Sequence, residues 1–152
     1  MLRNLRKIFG VNDQNRDAEP AAPVRRSSAQ VFYDHPLVNH TTIGQTLVVT
    51  IVERELNVTS AADVCHEIKE LYLHQAGVRH IVLDLENINY VDSAGLNCMV
   101  ELLSLVKRRH GRIGMASATQ HVEVLFKLTR LELVFTIRRT VIDAIDAIEP
   151  KG

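Results

Sequence analysis

From residue 37 onward, short β-branched apolar runs alternate with stretches whose apolar residues recur at helical spacing. This alternation constrains the fold more than any other feature of the chain. Residues 46–52 (TLVVTIV) form a continuous apolar run of the kind found in a strand covered on both faces. A shorter strand is expected over residues 37–42. The turn-like Ile43-Gly44-Gln45 joins the two, so they should pair antiparallel. Ser60 offers a side-chain oxygen to cap a helix running to about Ala76, with Ala61, Val64, Cys65, Ile68, Leu71 and Tyr72 on its apolar face. Gly77 can end that helix in a left-handed turn. Residues 78–85 read as another strand, in which Ile81, Leu83 and Leu85 share one face while Val82 and Asp84 take the other.

A loop over 86–92 leads to a second helix over about 95–110. Beyond Gly111 follow a short strand at 113–116, a helix at 121–129, a strand at 133–137 and a closing helix at 141–148. Strands separated by helices call for right-handed crossovers and a mainly parallel sheet. The expected architecture is an α/β domain with a mixed, mainly parallel sheet of about five strands and about four helices.

The domain is expected to fill residues 36–150, with residues 1–35 as a flexible N-terminal tail that folding does not need. Residues 10–30 contain two prolines and almost no bulky apolar side chains, so they cannot form a packed core. Leu2, Leu5, Ile8 and Phe9, interleaved with Arg3, Arg6 and Lys7, give the start of the tail a weak basic amphipathic pattern that could touch a membrane surface. No apolar run approaches the length of a transmembrane helix, and no secretory signal pattern is present.

Composition excludes several classes. Eighteen basic residues balance eighteen acidic ones, which removes the electrostatic case for direct nucleic-acid binding. The absence of Trp, with 5% aromatics, argues against stacking platforms. The two cysteines, Cys65 and Cys98, cannot make a disulfide framework and fit small core positions in a reducing cytoplasm. The seven histidines form no HExxH or HxxxH pattern, so no metal is expected. Phosphate-binding glycine loops and a GxSxG elbow are missing too, so neither a cofactor nor an enzyme activity is expected.

The informative segment is residues 82–96, VLDLENINYVDSAGL. A strand delivers its end to a loop, and Asp92-Ser93-Ala94-Gly95 opens a helix. An aspartate or serine here can satisfy orphan N–H groups at the helix start. A hydroxyl at such a junction can also accept a phosphate, which would face the positive end of the helix dipole.

This segment resembles the signature of the STAS domain in bacterial anti-sigma-factor antagonists, in which an apolar strand runs into an Asp-Ser-[Ser/Thr/Ala]-Gly-Leu loop. Residues 49–57 (VTIVERELN) resemble the family's second strand and its Gly-Glu-Leu-Asp turn. Residues 124–135 (VLFKLTRLELVF) resemble its Leu-Phe…Leu…Phe stretch, and Ala144 matches its final helix. The resemblance spans roughly residues 37–149 and implies a STAS-type fold.

It also implies a non-catalytic binding module. Unmodified, such a module sequesters an anti-sigma factor that is itself a serine kinase, freeing a sigma factor. Phosphorylation on the loop serine, here Ser93, breaks the complex, and a serine phosphatase restores it. Asp92, Ala94, Gly95 and Asn57 would belong to the partner-binding region. The alternative is a scaffold subunit of a larger signalling or transport assembly. Two departures stand out: Arg54 replaces the glycine and Asn57 the aspartate of the Gly-Glu-Leu-Asp turn, while Ala94 leaves a single hydroxyl in the serine loop.

On the second helix, Leu96, Met99, Val100, Leu103 and Val106 form a stripe expected to face the sheet. Cys98, Leu102 and Leu105 fall on nearly the opposite side. Either a neighbouring helix covers them, or they form an exposed apolar contact surface beside Ser93, with Cys98 and Leu102 touching the partner.

Overall fold

The computed structural model describes residues 36–150. The expectations for residues 1–35, a flexible basic tail with membrane-surface contact, lie outside the described residues. Strands β1 (Val38–Ile43) and β2 (Thr46–Ile51) form an antiparallel hairpin. Its turn is possible because Gly44 takes a left-handed φ of 60°. The chain continues through β3 (Glu55–Leu56), α1 (Ala61–Leu73), β4 (His80–Asp84), β5 (Tyr90–Val91) and α2 (Ser93–Arg108). It ends with β6 (Ile113–Ala116), α3 (Gln120–Leu128), a single 3-10 turn at Leu131–Leu133, β7 (Thr136–Arg138) and α4 (Val141–Ile148).

The main sheet has the order β1-β2-β4-β6-β7, and every pairing except β1–β2 is parallel. The α/β class, the five-stranded mixed sheet and the four α-helices thus agree with the sequence. β4 is central, and all five of its residues are buried. Side-chain alternation along it divides the core in two. Val82 joins Val48, Ala116, Ala144, Ile145 and Ile148 beneath α4. Ile81 and Leu83 point to the opposite face, where α1 and α2 pack against the sheet and each other.

Four local readings are corrected. The first helix ends at Leu73, three residues early, and Gly77 with φ 82° starts the return to β4. Ser60 sits at its N-terminus without capping it: its hydroxyl donates to the Glu55 carbonyl at 2.7 Å and accepts the Asn57 N–H at 3.1 Å. The last strand is not at 133–137. Leu131–Leu133 makes the 3-10 turn instead, which leaves Leu133 and Val134 exposed and seats Phe135 against Phe126 with ring centroids 6.4 Å apart. Pairing then begins only at Thr136.

The fourth correction concerns α2. Its buried residues are Gly95, Cys98, Met99, Leu102, Leu105 and Val106, whereas Val100 is 42% exposed. The apolar arc on this helix is wide, and periodicity alone could not tell which part is used. Packing of α1 against α2 decides it by covering the Cys98 side. Cys98 and Leu102 are 4% and 0% exposed, so they present no contact surface to a partner.

Candidate functional site

Two loops that leave the carboxyl ends of β2 and β4 are zipped together beside the sheet. β3 and β5 form a two-residue parallel ladder, Glu55 opposite Tyr90 and Leu56 opposite Val91. Asn89 N–H donates to the Arg54 carbonyl at 2.7 Å, and Asp92 N–H to the Leu56 carbonyl at 3.2 Å. Leu56, Ile88 and Val91 anchor this ladder in the core. A two-residue strand has no sequence period to reveal it, and for that reason the segment 86–92 reads as plain loop in the sequence.

The ladder delivers Asp92 to the start of α2. One carboxylate oxygen accepts the N–H groups of Ala94 (2.8 Å) and Gly95 (3.1 Å), the geometry of an N-cap. The other accepts the Val58 N–H at 3.0 Å, just ahead of α1. Asn57 completes the start of α1. Its side-chain oxygen accepts the Thr59 and Ser60 N–H groups at 2.9 and 3.2 Å, while its amide donates to the Glu55 carboxylate at 2.8 Å. Asp92 and Asn57 therefore hold the starts of α1 and α2 side by side.

Asn57 keeps the acceptor oxygen that an aspartate would bring and adds a donor. Arg54 also fits a glycine position at no conformational cost, because the non-glycine residues with positive φ among those described are His110, Ser117 and Arg130. Gly95 is different. A Cβ there would lie 2.3 Å from the Leu56 carbonyl oxygen and 2.7 Å from the Val91 side chain, so α2 can approach β3 only because this residue is glycine.

Ser93 is the first residue of α2 and is exposed. Of the two side chains that could cap the helix, Asp92 does so, and the Ser93 hydroxyl makes no hydrogen bond to the described residues. The junction therefore presents a hydroxyl without structural duties, next to a fixed carboxylate and the positive end of a sixteen-residue helix.

Two surface depressions flank this point. One lies between α1 and α2, holds about 250 Å³, and is lined in part by Val58, Ala94, Asn97, Cys65, Cys98 and Lys69. The other lies between β5 and α3, holds about 440 Å³, and includes Tyr90, Val91, His121, Val124, Leu125 and Leu128. Tyr90, Val124 and Leu128 are 48%, 48% and 77% exposed. Exposed apolar side chains thus lie on both sides: Tyr90, Val124 and Leu128 toward α3, and Val58, 79% exposed, at the α1–α2 depression. Val124 and Leu128 stand four apart, away from the buried Val122 and Phe126, and that spacing is a signal the sequence carried. Among the described residues no cluster of three or more His, Cys, Asp or Glu could hold a metal, and no helix is long and apolar enough to cross a membrane.

A mixed sheet whose central strand feeds a capped helix start with a free serine defines an α/β module built around one strand–helix junction. The chain belongs to the STAS domain family, which matches it over residues 38–144. A protein of Thermotoga neapolitana named as an anti-sigma factor antagonist is 24% identical over 107 residues, 70% of this chain and 94% of that one. The Bacillus anti-sigma factor antagonist SpoIIAA shares the fold in its unphosphorylated form, with a TM-score of 0.60 at 19% identity over 72% of this chain and 94% of that chain. Its phosphorylated form gives 0.55 at 18% identity, over 72% and 97% of the two chains. The murine anion transporter Slc26a9 contains the same fold as 18% of its chain, with a TM-score of 0.59 at 14% identity over 70% of this one.

Proposed function

We propose that this protein is an anti-sigma-factor antagonist whose binding is switched by phosphorylation of Ser93. The observation that carries the reading is the division of labour at the junction: Asp92 caps α2 and leaves the exposed Ser93 hydroxyl available to a kinase. Unmodified, the surface formed by the Ser93 loop, Tyr90, Val124 and Leu128 docks an anti-sigma factor that is itself a serine kinase, and so frees a sigma factor. A serine phosphatase resets the system. The domain itself is non-catalytic and acts in the cytoplasm.

The switch follows from charge. Phosphorylation adds about 1.5 to 2 negative charges at pH 7. Within the domain that charge sits at a favourable dipole end, which offsets repulsion from Asp92. At an interface the same group must lose its water against a surface that accepted a neutral hydroxyl, and an uncompensated buried charge costs several kcal/mol. Binding is therefore lost while the fold persists.

The test is incubation of the full chain with ATP and an anti-sigma factor kinase from the same genome, followed by intact-mass measurement. One phosphate on the natural protein and none on Ser93→Ala is the expected result; undiminished incorporation in Ser93→Ala refutes it. The transporter likeness favours a second reading, a scaffold subunit of a larger assembly. On that reading no kinase modifies Ser93.

A further inference from the structure

Cys65 on α1 and Cys98 on α2 are both free, buried and in contact across the helix pair. The Cys65 thiol reaches the Cys98 carbonyl oxygen at 3.7 Å and the Glu101 carboxylate at 3.6 Å. Glu101 is held in turn by Lys69 at 2.7 Å. Both residues line the depression between α1 and α2, Cys65 at 5% and Cys98 at 4% exposed, so the two thiols lie just beneath its floor. The apolar core requires none of this, since a pair of alanines or valines would fill helix-packing positions without thiol chemistry.

We propose that Cys65 and Cys98 are a reversible redox pair that closes to a disulfide linking α1 to α2 when a peroxide oxidises Cys65. The two thiols divide the roles. A hydrogen bond from Cys98 and the nearby Lys69 ammonium lower the Cys65 pKa against its burial and the Glu101 carboxylate, whereas Cys98 is pushed up, first by the same hydrogen bond and then by burial. Cys65 is thus the attacking sulfur and Cys98 the resolving one. The Cys65 thiolate attacks one peroxide oxygen, the O–O bond breaks, and the leaving oxygen departs as water after taking up a proton. The resulting Cys65 sulfenic acid is attacked by the Cys98 sulfur. Its S–O bond breaks, and the hydroxide leaves as a second water with the proton from Cys98. Two electrons from the two sulfurs reduce one peroxide to two waters. A dithiol reductant reverses the change.

This inference rests on the placement of the two thiols between α1 and α2 and does not depend on the role of Ser93. Such a pair differs from a structural disulfide framework: it is the transient kind that a reducing compartment permits. The bond would close a loop of 33 residues and so restrict the unfolded chain, which raises the melting temperature.

The experiment treats the full chain with hydrogen peroxide at a small molar excess and reads intact mass, peptide map and thermal melt. The expected result is loss of two hydrogens, one peptide joining Cys65 to Cys98, and an upward shift in melting temperature that dithiothreitol abolishes. Cys98→Ala should instead accumulate Cys65 sulfenic acid, trapped by dimedone, and Cys65→Ala should resist oxidation. Mixed disulfides between chains, oxidation beyond sulfenic acid at Cys65 in the natural protein, or no mass change under native conditions would each overturn the proposal. The readings on the natural protein stand even if a variant folds poorly.

Discussion

The Asp92 carboxylate accepts the Val58 N–H at 3.0 Å across 34 residues of sequence, while its other oxygen caps α2 through Ala94 and Gly95. One side chain thus sets both the start of the helix that carries Ser93 and its distance from the start of α1. Asp92→Ala should remove a cap worth about 1 kcal/mol and a charge-assisted hydrogen bond of about 1.5 kcal/mol or more. Asp92→Asn, with one acceptor oxygen left, can serve the α2 cap or Val58 but not both, and should fall between. Urea unfolding of the three proteins checks the order; equal midpoints would mean that Asp92 does not hold the junction.

Gly95→Ala tests the close approach of α2 to β3. The added methyl meets the Leu56 carbonyl oxygen at 2.3 Å, and backbone cannot yield as a flexible side chain would. Overpacking of this kind costs about 1–3 kcal/mol. The expected outcome is a stability loss of that size together with faster amide exchange at Asp92 and Leu96, whose N–H groups bond within the junction. An unperturbed melt would show that the helix start can shift freely.

Val124→Ser and Leu128→Ser probe the docking surface on α3. Both residues are substantially exposed in the isolated domain, so neither change should move the melting temperature by much. Burying an apolar side chain of this size contributes about 1.5–3 kcal/mol. Each substitution should therefore weaken binding to the anti-sigma factor about tenfold or more. Unchanged affinity by calorimetric titration would move the interface elsewhere.

His80 gives the domain a pH dependence. It is 2% exposed at the start of β4, where its Nδ1 accepts the Arg112 N–H at 3.0 Å. Burial holds its pKa below the ordinary value of 6.5; Arg79 and Arg112 add to this and Glu149 opposes it. The unfolded chain therefore takes up a proton near pH 6.5 that the native state refuses. Stability is complete above that pH and declines as the pH falls from it toward the lowered native pKa. Denaturant midpoints at about pH 7.5 and about pH 5.5 should differ more for the natural protein than for His80→Asn, which keeps an acceptor for Arg112 but does not titrate. The same difference in both would exclude His80 as the source.

Much of this architecture was legible in particular residues. The run at Thr46–Ile51 and the strand Ile113–Ala116 fall where their apolar pattern put them, because each is buried along nearly its whole length. The helix Val141–Ile148 also falls where expected, but of Ile142, Ile145 and Ile148, spaced three apart, only the last two are buried and Ile142 is 59% exposed. The choice of buried arc on α2 was not legible, since Val100 and Leu102 are equally apolar and only packing of α1 selects between them. At the junction, the sequence singled out Asp92 and Ser93 but could not say which one caps the helix; that depends on the direction of the Asp92 carboxylate. The role of Asn57 was hidden for a related reason. Its partners, Thr59, Ser60 and Glu55, are local in sequence, but the turn that gathers them is fixed by the β3–β5 ladder.

The central claim is that a charge on Ser93 changes binding and leaves the fold alone. Its most direct test is a titration of the anti-sigma factor kinase with unmodified and with Ser93-phosphorylated protein, alongside thermal melts of both. A loss of several kcal/mol at the interface predicts affinity lower by about a hundredfold or more, with a cooperative melt retained. Equal affinity of the two forms, or a phosphoprotein without a cooperative transition, would contradict the switch.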